Sequence, residues 1–245
     1  MEMFGSNGAL KTFASGDRGL PAQIAAEIGR RITLGELKPG SVLPKESEML
    51  QNLSVSRTTL REALKILETK GFISAKPRAG TRVRPPEFWN TLDPIVLSWQ
   101  GDADDQEGLV QELFEIRLAI EPLAASLAAL RGSDREHLQI RAAFDAMAVE
   151  HASEHEAMET DINFHLQIIR AAHNRFLLPV SSVIRAALTI SIPKTFKAFG
   201  GMQHSLAMHE AIAVAIGKRD ATAAAKAAET LLSATYERNF SSIGR

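Results

Sequence analysis

Residues 55–72 read VSRTTLREALKILETKGF. At about 100° per residue, Leu60, Ala63, Leu64 and Leu67 fall on one stripe of a helix, and Arg57, Thr58, Arg61 and Lys65 fall on another. Such a helix docks by its first face and presents cations on its second. Ser56, just ahead of it, is placed as an N-cap whose hydroxyl accepts from a free backbone N–H, and Gly71 stops the run.

The flanking sequence gives this helix a setting. Upstream, LPAQIAAEIGRRITLGEL (residues 20–37) spaces Leu20, Ile24, Ile28 and Ile32 as a helix ended by Gly35; LKPGSVLP is a turn, KESEMLQNL a short helix and SVS a second turn. Downstream, FISAKPRAGTRVR (residues 72–84) alternates and turns over residues 77–80, as a two-stranded hairpin with Lys76, Arg78, Arg82 and Arg84 at its tip or flanks. Helix, helix-turn-helix and basic hairpin make a winged helix-turn-helix. A helix N-terminus fits the DNA major groove, where arginines pair with guanine edges or phosphates. Cations on one exposed helix are ordinary; combined with the turn, the hairpin and the charge distribution below, they select DNA reading.

The chain has 245 residues, 45% of them hydrophobic, enough for two domains. It lacks cysteine, so disulfides and thiolate metal sites are excluded and a reduced cytoplasm fits. Residues 1–17 hold no apolar stretch suited to a signal peptide, and no run approaches the roughly 20 apolar residues of a membrane span, so no membrane partner is expected. Residues 1–85 carry 14 Lys and Arg against 8 Asp and Glu, leaving 14 against 21 for the rest of a chain whose net charge is -1. A basic module followed by an acidic one, with all seven histidines beyond residue 130, indicates that the first half meets a polyanion. The expected organisation is a disordered N-terminus at 1–17, a DNA-binding domain at 18–85, a connector helix and linker at 86–105 after the prolines at 85 and 86, and a helical effector-binding and dimerisation domain at 106–240. The fold class is mainly α.

The spacing of GELKPGSVLPKESEMLQNLSVSRTTLREALKILETKGFI (residues 35–73), followed by Gly80 and Thr81, resembles the N-terminal domain of the GntR family of bacterial transcription regulators. The resemblance implies that Arg57, Thr58, Thr59 and Arg61 approach an operator, with Arg78 and Gly80 of the wing in the adjacent minor groove. Ser47 stands where many members of the fatty-acid-regulator branch carry an arginine.

The second half reads as helices near 89–100, 106–131, 134–152, 155–172, 175–198, 203–218 and 220–238. Three of these place ionisable groups on apolar faces. Asp161 and His165 lie among Ile162, Phe164, Ile168 and Ile169; His209 lies among Leu206, Ile212, Ala213 and Ile216; Arg117 lies among Val110, Leu113, Phe114, Ile120 and Ala124. Burying an unpaired charge costs several kcal/mol, so these groups should meet each other, a metal or a ligand. Asp161 and His165, at i and i+4, can share one ion with His209; the alternative is an internal Asp–His hydrogen bond. His137, His151, His155, His173 and His204 show no such placement and are expected to be solvated or capping.

Residues 107–236 resemble the ligand-binding FCD domain of the fatty-acid-regulator (FadR) branch, through EIRLAIEP from Glu115, D-x-x-F-H from Asp161, AAHN from Ala171 and H-E-A-I-x-x-A-I from His209. In metal-binding members an aspartate and three histidines hold a divalent cation beneath a carboxylate effector. The resemblance implies Asp161, His165 and His209 as ligands, most simply of zinc, with Leu231 in place of the last histidine and water or effector completing the shell. Arg117, at the centre of an apolar stripe, is costly to bury unless a carboxylate engages it bidentately, so it is expected to pair with the effector carboxylate. WNTLDPIVLSW (residues 89–99) is similar to a segment of sugar-acid catabolism regulators, those of D-galactonate operons among them; Trp89, Leu92, Val96 and Trp99 also suit a packed linker helix. The expectation is a homodimeric repressor released by a sugar acid, with no catalytic residues. Its rivals are an acyl-responsive regulator and a metalloenzyme with a facial triad of two histidines and one carboxylate.

Overall fold

The computed structural model describes residues 19–76, 80–100, 106–149, 151, 153–199 and 203–240. The segment 1–17 and Arg78 of the wing lie outside the described residues. The chain divides into two compact units, Met1–Asp104 and Asp105–Arg245.

In the first unit, α1 (Leu20–Thr33), α2 (Glu46–Leu53) and α3 (Arg57–Thr69) precede an antiparallel hairpin of β1 (Ile73–Lys76) and β2 (Gly80–Val83). Helix α1 buries Ile24, Ile28 and Ile32; Leu20, at the end of the expected stripe, is 43% exposed. Ser54 takes a left-handed conformation (φ 52°) between α2 and α3. Ser56 then caps α3, its hydroxyl accepting from the Thr59 N–H at 3.1 Å. Leu60, Ala63 and Leu67 go into the core and Leu64 packs against it. The hairpin pairs Ile73 with Val83 and Lys76 with Gly80. Gly71 has φ +81°, and a Cβ there would sit 2.0 Å from the Phe88 carbonyl oxygen, so only glycine fits.

The helix expected at 89–100 begins later, as α4 (Pro94–Gln100), behind a 3-10 turn at Pro86–Phe88. Asp93 starts it by accepting from the Ile95 N–H at 2.9 Å, and Trp89 is drawn instead onto Phe72, stacked at 4.6 Å between centroids. Trp99 meets the same ring edge-on at 5.2 Å and lies over Gly29 of α1. Lys70 pairs with Asp93, and the Asn90 N–H donates to the Lys70 carbonyl at 2.9 Å. These contacts build the connector helix into the core of the first unit.

The second unit is helical: α5 (Gln106–Arg131), α6 (Asp134–Met147), α7 (Glu154–Ala171), α8 (Ser181–Phe199), α9 (Gln203–Gly217) and α10 (Ala221–Phe240). Helix α5 packs against α7, α8, α9 and α10, and α6 packs against α7 and α9. Helix α8 starts six residues after the expected position because Leu178–Val180, with Pro179, forms a 3-10 turn. The core includes Ile140, Phe144, Ile162, Phe164, Ile169, Ile184, Ile212 and Ile216, side chains worth about 1.5–3 kcal/mol each when fully buried. Among the described residues no helix is long and apolar enough to cross a membrane.

Candidate functional site

Two surfaces carry the chemistry. On α3, the Arg57 and Arg61 side chains are 68% and 64% exposed, and Thr58 and Lys65 are exposed beside them. Thr59 is half-buried with its hydroxyl 2.7 Å from that of Ser56, so it belongs to the cap. Glu46, from α2, places Oε1 at 3.4 Å from Arg57 Nε and 3.3 Å from Arg61 Nε. Both arginines of the exposed stripe are thus oriented by one carboxylate. Gly80 is exposed at φ +78° where β2 begins. Arg82 donates to the Gly40 carbonyl at 3.0 Å, and Arg84 lies 4.1 Å over the Phe88 ring.

The second site is inside the helical unit. Arg117 and Glu121 come from α5, Asp161 and His165 from α7, and His209 from α9; each is 2–5% exposed. Asp161, His165 and His209 each offer a ligand atom, and these atoms lie within 4.8 Å of one another. His209 Nδ1 is 2.9 Å from the Ser205 carbonyl oxygen. A carbonyl only accepts, so Nδ1 carries a proton, and in the neutral ring Nε2 presents a lone pair. His165 Nδ1 is 2.6 Å from Glu121 Oε2. Burial works against ionisation of Glu121, but Arg117 and His165 together outweigh it and hold the carboxyl at about 2. It therefore accepts from His165 Nδ1, and in the neutral ring His165 Nε2 is then the lone pair.

Both lone pairs face Asp161, whose Oδ1 lies 3.1 Å from His209 Nε2 and 3.9 Å from His165 Nε2. Burial pushes the Asp161 carboxyl up, and His209, His165 and Arg117 more than offset it, so this group too is ionised. With the His209 proton on Nδ1, Asp161 Oδ1 and His209 Nε2 are close without a hydrogen bond between them, and both are buried. When both imidazoles are neutral, three acceptors converge with no donor between them. With neutral imidazoles, Arg117, Glu121 and Asp161 leave the cluster one negative charge in excess, which a proton or a cation would balance. A divalent ion fits this donor set, and the outward N–H of each imidazole is held as in carboxylate–histidine–metal arrangements.

The expected trio therefore comes together. Arg117 adjoins it through a residue that the sequence pattern did not single out: Glu121, whose Oε1 is 2.5 Å from Arg117 Nε. The arginine meets an anion of its own helix, and Nη1 remains buried without a partner. Leu231 is buried in the hydrophobic core. His137, expected to be solvated or capping, is buried, with Nε2 2.9 Å from the Ala128 carbonyl oxygen near the end of α5. His155, His173 and His204 are exposed and His151 is half-buried.

The pattern of bacterial regulatory proteins of the gntR family matches residues 20–83, and that of the FCD domain matches residues 112–234. The chain belongs to the GntR family of transcription regulators. It is 33% identical over 216 residues to the uncharacterised regulator YieP of Escherichia coli, covering 85% of this chain and 90% of the relative. It is 30% identical over 217 residues to the galactonate operon transcriptional repressor of the same organism, covering 88% and 95%. A solved structure of Lar, a protein that controls the agr system of Listeria monocytogenes, superposes with a TM-score of 0.64 at 18% identity, covering 93% of this chain and 99% of that one, and so shares the fold. This GntR-family protein is a DNA-binding regulator with a ligand-binding FCD domain, and not an enzyme. The facial-triad metalloenzyme alternative falls with that.

Proposed function

We propose that this GntR-family regulator is a cytoplasmic homodimeric repressor whose FCD domain binds a sugar-acid carboxylate together with a divalent cation, zinc most simply. The observation that carries the proposal is the buried set of acceptors on Asp161, His165 and His209 beside an unpartnered Arg117 Nη1. The three side chains would hold the cation, and the cation would supply positive charge for an anion with neighbouring hydroxyls. Arg117 Nη1 would donate to the effector carboxylate. The sugar-acid class rests on similarity to the galactonate operon repressor along 88% of the chain.

Operator contact falls to Arg57, Thr58, Arg61 and Lys65 on α3, with Thr59 at its cap and Arg78 and Gly80 in the wing. Two-fold operators need paired reading heads. Along α5, Ile116, Leu123 and Leu130 recur every seven residues and stay 43%, 50% and 61% exposed, with Ile120 and Leu127 half-buried between them. That 4-3 spacing is an apolar seam suited to a second copy.

The test is calorimetric titration of the zinc-loaded protein with D-galactonate, alone and on a duplex that the protein itself enriches from random DNA. Coupling of about 1–3 kcal/mol weakens effector binding on the duplex roughly 5- to 150-fold. Arg117→Ala should bind the duplex and ignore D-galactonate. Equal D-galactonate affinities with and without duplex would remove it as the effector, and tight binding of an acyl-CoA in the same assay would replace it.

A further inference from the structure

Glu121 divides its carboxylate between two partners. Oε1 is 2.5 Å from Arg117 Nε and Oε2 is 2.6 Å from His165 Nδ1, with the glutamate 5% exposed. A carboxylate present only to neutralise a buried arginine would favour the fork-to-fork arrangement, which gives two parallel hydrogen bonds and is the stronger geometry. Here the second oxygen is diverted to an imidazole on another helix. Each partner also has a second polar group: Nε2 on His165 lies toward Asp161, and Nη1 on Arg117 is buried and without a hydrogen bond.

We propose that Glu121 is a positioning residue for both halves of the buried site. It fixes the neutral His165 ring with the proton on Nδ1, so that Nε2 is the lone pair, and it holds Arg117 by Nε, so that the Nη end is left for an anion. This rests on the reading of the cluster as a cation and carboxylate site. One consequence narrows the ligand geometry. An effector carboxylate meets Arg117 through its Nη end and not through the Nε side, which Glu121 occupies, so the rest of its recognition falls to its hydroxyls and the neighbouring cation. A second concerns substitution. Glu121→Gln leaves one acceptor oxygen where two are used: either the new amide nitrogen faces the Arg117 N–H, or it faces His165 Nδ1 and drives that proton to Nε2, against Asp161.

The experiment uses the full chain, selectively 15N-labelled at histidine and freed of metal. Two-bond proton–nitrogen spectra report the tautomer of each imidazole, and the His165 signals are identified by their loss in His165→Gln. Wild-type His165 is expected as the Nδ1–H form, and finding it as Nε2–H overturns the proposal without any variant at position 121. Zinc affinity is then measured by competition with a chromophoric chelator in wild type, Asp161→Asn and Glu121→Gln, with circular dichroism as the check on folding. Asp161→Asn should abolish binding. Glu121→Gln should weaken it about 10- to 100-fold and move the His165 proton toward Nε2. If wild type fails to bind zinc, or Asp161→Asn binds it undiminished, the cation reading fails and the proposal with it. If binding depends on Asp161 while Glu121→Gln keeps both zinc affinity and tautomer, only the role of Glu121 is refuted.

Discussion

Replacing Asp161 by asparagine should have opposite effects on stability with and without metal. Asp161 Oδ1 and His209 Nε2 are 3.1 Å apart, buried, and not hydrogen-bonded. An asparagine amide placed there can donate to His209 Nε2 and removes the excess negative charge. Leaving a buried polar group unsatisfied costs about 1–3 kcal/mol. The substitution forfeits the attraction between Asp161 and Arg117, so a net gain of about 1–2 kcal/mol is expected. For a domain of this size that raises the melting temperature by roughly 2–4 °C per kcal/mol. Zinc reverses the order: at about 100 times its Kd, the ion stabilises wild type by about 2.7 kcal/mol, and the variant, with one ligand gone, gains little. Thermal denaturation in chelator and in zinc should therefore show Asp161→Asn melting above wild type in the first and below it in the second. A variant that melts below wild type in chelator and still responds fully to zinc would refute the acceptor-only arrangement. It would favour an Asp–His hydrogen bond with a proton already in place.

Arg57→Ala should cost about 1–3 kcal/mol of affinity for a selected duplex if the arginine reads a guanine edge, and Arg61→Ala should flatten the salt dependence if it neutralises a phosphate; unchanged binding in both variants, measured by fluorescence anisotropy, would rule out α3 as the reading surface. Ser133 and His173 hold the Glu136 carboxyl at about 2, below its ordinary 4.5, so its contribution is fully present above pH 4.5 and is lost as the pH falls toward about 2. At this solvent-screened position Glu136→Ala should destabilise by about 1 kcal/mol near neutrality, and a denaturant-unfolding gap that stays constant through that acid window would contradict the assignment. In Gly29→Ala the new Cβ would fall 2.3 Å from the Trp99 ring, an overpacking cost of about 1–3 kcal/mol only partly offset by about 1 kcal/mol of helix propensity. Both tryptophans of the chain pack on Phe72, so a red-shifted emission should accompany the loss, and an unaltered spectrum would show that Trp99 is not held there.

What the sequence disclosed about the fold depended on the range of each signal. Helix α3 was legible in full because its stripe, its Ser56 cap and its Gly71 stop are all local. The start of α4 was misplaced by five residues for a tertiary reason: Trp89 has the spacing of a helical residue, but stacking on Phe72 takes it out of the helix. The local mark of the true start was Asp93 before Pro94, a capping side chain followed by the one residue that needs no N–H at the first helical position. The start of α8 carries a different mark, Pro179 in a 3-10 turn ahead of Ser181, with no capping side chain before that turn.

At the buried site, the wheel positions of Asp161, His165, His209 and Arg117 showed that polar groups would enter the core, since burial follows from the apolar residues on either side of each. Their partners obey a different logic. Glu121 is four residues from Arg117, hence on the same helical face, and lies inside the EIRLAIEP motif itself; treating the arginine's missing anion as a local pair would have found it. No comparable signal exists for Glu46, which reaches Arg57 and Arg61 from another helix. Nor was one available for His137: its burial depends on the end of α5, where a Cβ on Gly132 would sit 2.6 Å from His137 Nε2. That close approach permits the nitrogen to donate to the Ala128 carbonyl, which also accepts from the Gly132 N–H at 2.9 Å and uses its second lone pair for the imidazole. This histidine on a mixed face is therefore buried because a neighbouring helix ends against it with a carbonyl that has a lone pair to spare and a glycine that leaves room, a condition set by the packing of two helices and not by the periodicity of either.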